Sequence, residues 1–116
     1  MYDPRLIGTW RSDKRKTLVE IATRRDLSSV KKKKLADLFA KLKLRYTRTR
    51  CYSRFETYKS VSKYEVVAKD DYGVVIVGVT PEVGKQIWHI HFERNRYWIY
   101  LGSSGIREFF RRVPGK

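Results

Sequence analysis

Apolar and polar positions alternate with a period of two over most of the chain from residue 44 onward, as in β-strands with one buried face. Turn sequences rich in Gly, Pro and Asp separate the alternating segments. With a short apolar segment near the N-terminus, they predict strands at 6–12, 44–52, 62–69, 74–79, 87–92, 97–101 and 106–113. Short strands joined by tight turns form sequential antiparallel hairpins. About seven or eight of them close into a small up-and-down barrel.

The period becomes helical between the first two predicted strands. Ser12 and Asp13 supply N-cap oxygens for a helix that reaches about residue 24. A second helix is predicted by an apolar stripe at i, i+3, i+4 and i+7, formed by Leu35, Leu38, Phe39 and Leu42. The predicted fold is therefore mainly β, a small antiparallel barrel with two short helices between its first and second strands.

The length and composition of the chain predict a single domain with a strong positive charge. The 116 residues form one domain spanning 1–116, and 41% of them are hydrophobic. The formal net charge is +15, and residues 31–50 hold nine Lys or Arg against one acid, which favours an anionic partner. A single cysteine, Cys51, excludes an internal disulfide. Without a signal-peptide pattern or 18 consecutive apolar residues, we expect a soluble, cytoplasmic protein.

Two short motifs resemble those of a known superfamily. Gly8-Thr9-Trp10 lies on the first predicted strand, ahead of the helical pair and the hairpins, and residues 106–112 form a closing strand rich in arginine. This combination resembles the calycins, which include the lipocalins and the fatty-acid-binding proteins. The resemblance implies that Trp10 packs against a basic residue of the last strand, Arg107 or Arg111.

The resemblance also implies a binding role. The helices, at about 14–43, would form a lid over the mouth of the barrel. Arg107 would hold a ligand carboxylate, and Phe109 stands where the fatty-acid-binding proteins have a tyrosine. The same likeness implies a carrier that buries the apolar part of its ligand inside the barrel.

Aromatic side chains on the later strands are candidates for a pocket or for a filled core. The predicted ligand pocket consists of Tyr64, Trp88, Phe92, Trp98, Arg107 and Phe109. The corresponding function is non-enzymatic binding of a small hydrophobic or amphipathic, anionic ligand. Carboxylates are scattered and no nucleotide-binding or hydrolase motif occurs, which argues against an enzyme. His89 and His91 share a strand face that we expect to point outward, so no metal site or cofactor is predicted.

Two alternatives remain open at the level of sequence. The basic segment could bind the phosphates of RNA, DNA or an anionic surface. Its candidate contacts are Lys31, Lys32, Lys33, Lys34, Arg45, Arg48 and Arg50. A barrel filled by its own side chains could instead mediate protein contacts. The sequence leaves the ligand and the oligomeric state open.

Overall fold

A computed structural model of the chain describes residues 2–39, 41–81, 84–100 and 105–114, with the side chains of all of these except 35–39. The elements are, in chain order, β1 (Gly8–Ser12), α1 (Lys14–Ala22), α2 (Ser29–Phe39), β2 (Leu42–Tyr46), β3 (Arg50–Phe55), β4 (Tyr58–Lys69), β5 (Gly73–Thr80), β6 (Gly84–Glu93), β7 (Arg96–Tyr100) and β8 (Arg107–Arg112). Neither described helix has the length and apolar content needed to cross a membrane.

The strands form one closed antiparallel barrel. Each strand pairs with its neighbours in sequence, and β8 returns to pair with β1. Every strand is paired on both sides for part of its length, and among the described residues β6 pairs with β7 only through His91, Phe92 and Glu93. The predicted fold class is confirmed, including the two short helices between β1 and β2.

The predicted strand at 44–52 is two strands, β2 and β3. A tight turn at Thr47 separates them: the amide of Thr47 donates to the carbonyl of Arg50 at 2.8 Å, and its Oγ1 accepts from the amide of Arg50 at 3.1 Å. Threonine in a turn of this kind uses its hydroxyl as a local acceptor. The alternating pattern runs through these polar residues without a Gly or Pro, so the sequence shows one strand where the fold has two.

Helix α1 is tied to strand β8 by its first turn. Asp13 caps the helix, because its Oδ1 accepts from the amide of Lys16 at 3.1 Å, as predicted. The amide of Asp13 donates to the carbonyl of Phe109 at 2.8 Å, and Thr17 Oγ1 accepts from the amide of Phe109 at 2.9 Å. Ile21 and Ile106 form a small second core beside this contact. Helix α1 is thereby docked against the last strand.

Helix α2 ends three residues before β2. Leu42, predicted as the last position of its apolar stripe, lies in β2 instead. The side chains of Leu35, Leu38 and Phe39 lie outside the described residues, and so does any packing that this stripe makes. The lid at 14–43 therefore stays a prediction.

One end of the barrel is closed by Arg112 and Trp10. The guanidinium carbon of Arg112 lies 4.3 Å from the centroid of the Trp10 ring, and the same group donates to the carbonyls of Ile7, at 2.8 Å, and Arg5. Gly8 makes this possible, because a Cβ at that position would lie 2.6 Å from Arg112 Nη1. The glycine of the Gly-x-Trp motif thus leaves room for the cation that covers the indole.

The prediction that Trp10 packs against Arg107 or Arg111 was wrong, because the register of the β1–β8 pair places Arg112 opposite Trp10. Trp10 lies directly opposite Arg112 in the β1–β8 pair, so both side chains point to the interior. Arg111 pairs with Arg11 on the outer surface, and Arg107 lies on the outer surface farther along β8. Side chains alternate along a strand, so a shift of one residue exchanges the two faces.

Candidate functional site

The barrel encloses a cavity of about 360 Å³, lined by inward side chains from β2 to β8. Its apolar wall consists of Leu42, Leu44, Ile76, Trp88, Ile90, Ile99 and Phe110. The space exists because neighbouring strands carry small residues at inward positions, including Ser53, Ser60, Ser62 and Gly78. Cavities of this size, mostly apolar with a few polar groups, hold small molecules in other proteins.

The floor of the cavity is formed by a cluster of protonated groups. The hydroxyls of Tyr46 and Tyr97 are hydrogen-bonded at 3.0 Å, and Cys51 lies on the adjoining wall. Burial raises the pKa of both tyrosines well above the ordinary value, and it raises the pKa of the Cys51 thiol to about 11. These groups are neutral at physiological pH, and a neutral thiol is a poor nucleophile.

Glu108 places a nearly buried carboxyl group on the wall of the cavity. It is 6% exposed and lies opposite Ile99 in the β7–β8 pair, facing inward. Among the side chains that the structure describes, none forms a hydrogen bond or ion pair with its carboxyl group. Burial raises its pKa to about 7, because an apolar environment disfavours the charged form. The carboxyl group lines the cavity, so a molecule that enters the cavity can form a hydrogen bond with it.

Two of the predicted pocket residues line the cavity. Tyr64 and Trp88 are on its wall. Phe92 also faces inward, but it packs in the core toward the closed end, beneath the guanidinium of Arg5 at 4.7 Å. The prediction was wrong for Phe92 as a lining residue.

The other three predicted pocket residues, Trp98, Arg107 and Phe109, lie outside the barrel wall. In β7 and β8 the residues that line the cavity are Tyr97, Ile99, Glu108 and Phe110, and the three predicted residues alternate with them. Both faces of β7 and β8 carry aromatic residues, and both faces of β8 also carry charged ones, so the alternating pattern could not show which face is inside. The prediction inverted the two faces.

Arg107 therefore has no access to the cavity. It forms an ion pair with Glu20 of α1, and its guanidinium carbon lies 4.9 Å from the centroid of the Trp98 ring. Phe109 is buried beneath α1, where its backbone bonds with Asp13 and Thr17. The residues expected to clamp a carboxylate join the helix to the barrel instead.

The predicted anion contacts lie on α2, on the outer face of β2 and at the turn between β2 and β3. Lys31, Lys33 and Lys34 are exposed on α2, and Lys32 donates from Nζ to the carbonyl of Ala22 at 3.4 Å. Arg48 and Arg50 lie at the turn between β2 and β3, where Arg48 covers the ring of Tyr2. Arg45 is on the outer face of β2, with its guanidinium carbon 4.3 Å from the centroid of the Tyr52 ring. In chain order, β2 lies between the lysines and the turn.

Sequence reasoning missed the role of Glu108 and the small residues that create the cavity. Glu108 is in phase with Phe110 and Arg112, so the correct partner of Trp10 would have placed it inside. Comparison with family models, curated proteins and solved structures finds no match for this chain. The likeness to the calycins consequently stays a prediction from the two motifs and the order of the elements.

Proposed function

We propose that the protein is a non-enzymatic binding protein for a small, mostly apolar molecule that carries a hydrogen-bond donor such as an amine. The observation that carries this proposal is Glu108, a nearly buried carboxyl group on the wall of an otherwise mostly apolar cavity. A donor placed against this group would satisfy it, and an ammonium group would form a charge-assisted pair. The apolar wall would take up the rest of the molecule.

We infer the sign of the ligand charge from the side chains that line the cavity. The sequence led us to expect an anionic ligand held by Arg107, but Arg107 lies outside the wall and is paired with Glu20. A carboxylate ligand would instead meet Glu108, and two carboxylates in an apolar environment repel. We therefore favour a basic or neutral donor over an anion.

A binding role is favoured over catalysis by the protonation of the other cavity groups. The pKa of the Cys51 thiol is about 11 and that of the Tyr64 hydroxyl is about 12, in both cases because of burial. Neither is ionised at neutral pH, so neither supplies a nucleophile beside Glu108. One carboxyl group among neutral side chains is sufficient to orient a ligand.

Three probes with one apolar chain and different head groups test the proposal. Titration of the protein with octylamine, octanol and octanoate by calorimetry at about pH 8 compares an ammonium, a hydroxyl and a carboxylate. We expect octylamine to bind roughly 10- to 100-fold more tightly than octanol, as a charge-assisted hydrogen bond implies, and octanoate to bind most weakly. Glu108→Gln should reduce the difference between octylamine and octanol to less than about threefold.

A cavity-filling variant provides the second readout. A Cβ at Gly78 would lie 3.8 Å from its nearest neighbour, the carbonyl oxygen of Lys63, so Gly78→Leu adds bulk inside the cavity without a steric clash at the backbone. We expect this variant to fold and to bind octylamine at least about tenfold more weakly. Val79→Leu adds bulk on the outer surface and should bind as the wild type does. Unchanged octylamine binding by Gly78→Leu would contradict the cavity as the site.

A further inference from the structure

We infer that the outer surface of the barrel binds single-stranded nucleic acid through a continuous row of cations. This cationic row is Arg111, Arg11, Lys43, Arg54 and Lys59, which lie on five adjacent strands. The inference concerns the outside of the barrel and is independent of the ligand proposed for the cavity.

The row is produced by the registers of the strand pairs. Arg111 is opposite Arg11, Arg11 is opposite Lys43, Lys43 is opposite Arg54, and Arg54 is opposite Lys59. Each of the five lies between two inward positions of its own strand, and all five are exposed. Neighbouring strands are about 4.8 Å apart, so the backbone positions of the row span roughly 19 Å around the barrel.

The charges of the row are not neutralised within the described chain. None of its five members forms an ion pair with a described acidic side chain. The nearby carboxylates are engaged elsewhere: Asp13 pairs with Arg96 at 3.0 Å and Glu56 with Lys41 at 2.8 Å. Like charges directly opposite one another destabilise a sheet. Four such pairs in succession therefore cost stability, and an anionic partner would compensate that cost.

A groove adjoins the middle of the row. It has a volume of about 470 Å³, and Arg11, Lys43 and Arg54 lie on its wall. Val113 provides an apolar surface in the same groove. Phosphates at the cations and an apolar base face in the groove match the two components by which proteins bind single strands.

The curvature of the row selects a flexible partner. The row crosses β8, β1, β2, β3 and β4, which are five of the eight strands, and it spans about half of the circumference. A flat membrane or a straight duplex can touch only part of such an arc at one time. A single strand can bend along it and place successive phosphates against all five cations.

The salt dependence of oligonucleotide binding tests how many cations contact the phosphates. The probes are fluorescein-labelled oligouridine and oligothymidine of about 16 nucleotides, titrated by anisotropy. With five phosphate contacts, log Kd should change with log salt with a slope of about 3.5 in magnitude, so affinity falls about 100-fold between about 50 and 200 mM KCl. The probe bound more tightly distinguishes RNA from DNA, and tight binding of either one supports the inference.

Two variants that each remove four positive charges give the decisive comparison. Arg11→Gln, Lys43→Gln, Arg54→Gln and Lys59→Gln together should reduce the slope to about 0.7, so affinity falls only about threefold over the same salt range. The control replaces Lys31, Lys32, Lys33 and Lys34 on α2 by Gln and should retain most of the wild-type slope. Because the row costs stability, the row variant should melt at or above the wild-type temperature in low salt.

Several outcomes would overturn the inference. If the row variant and the α2 variant lost the same amount of affinity for the oligonucleotide, net charge alone would explain the binding. Tighter binding of a duplex of the same length would contradict a flexible partner. Row-dependent binding to vesicles of phosphatidylserine and phosphatidylcholine, without oligonucleotide binding, would assign the row to a membrane. None of these outcomes affects the octylamine experiment, so the two proposals fail separately.

Discussion

Replacing Arg112 by Met is expected to lower the free energy of unfolding by about 3 kcal/mol. The substitution removes the hydrogen bonds that the guanidinium donates to the carbonyls of Ile7 and Arg5 and the cation that covers Trp10. The carbonyls lose a charged donor at the partly buried closed end, and methionine fills much of the same volume. Urea denaturation, followed by tryptophan fluorescence, measures the change.

Arg111→Met is the matched control for this prediction. Arg111 is the neighbouring residue, but it is exposed on the outer face of β8 and opposite another arginine. We expect its replacement to change the free energy of unfolding by less than about 0.5 kcal/mol. Equal destabilisation by the two variants would mean that Arg112 does not close the barrel. If Arg111→Met alone were destabilising, the result would support Arg111 as the residue that packs against Trp10.

Glu108→Gln is expected to remove about 3 kcal/mol of pH-dependent destabilisation. Burial raises the pKa of Glu108 from 4.5 to about 7. A raised pKa means that the folded state holds the proton more tightly than the unfolded state. The contribution of Glu108 to the stability of the wild type is therefore most favourable below about pH 4.5 and is lost as pH rises through about 7. Glutamine cannot ionise, so the variant should lack this fall.

Unfolding free energies at about pH 4 and about pH 8 test the prediction through the difference between wild type and variant. The free energy of unfolding of Glu108→Gln, relative to that of the wild type, should be about 3 kcal/mol higher at the upper pH than at the lower pH. Glu65→Gln is the control, because Glu65 is exposed on the outer face of β4. A difference for Glu108→Gln that stays constant with pH would show that the carboxyl group is not desolvated, and it would remove the main support for the ligand class.

The two proposed binding sites differ in charge, whereas the sequence predicted an anionic partner for both the barrel interior and the basic segment. The chain carries a formal charge of +15, and the sequence alone does not show which charges face the interior. In the barrel, the cationic row lies outside and a carboxyl group lies inside. A total charge describes long-range attraction, whereas a cavity is governed by the few groups on its wall.

Much of the fold could be predicted because it depends on local patterns. The β-strands follow from the alternation of apolar and polar residues, and the start of α1 follows from its Asp13 cap. The turn at Thr47 was missed because its residues continue the alternation and because its stabilising hydrogen bonds are made by a side-chain hydroxyl. Local polarity does not reveal whether a threonine hydroxyl faces solvent or closes a turn.

Much less of the site could be predicted, because its composition depends on which face of each strand is inward. Tyr64 and Trp88 were identified, whereas Trp98, Arg107 and Phe109 were assigned to the wrong side. Their strands carry large apolar residues on both faces, since α1 covers part of the outside. Where both faces are covered, hydrophobicity no longer distinguishes the interior from the exterior.

The sequence by itself determined the class of fold, the order of its elements and the excess of positive charge, because these follow from residue type and short-range periodicity. Only the tertiary structure decided that Arg112 covers Trp10, that Glu108 enters the cavity and that five cations form one row. Each of these depends on the register between strands distant in sequence. Register is set by how the whole barrel closes, and a change of one residue moves every side chain of a strand to its other face.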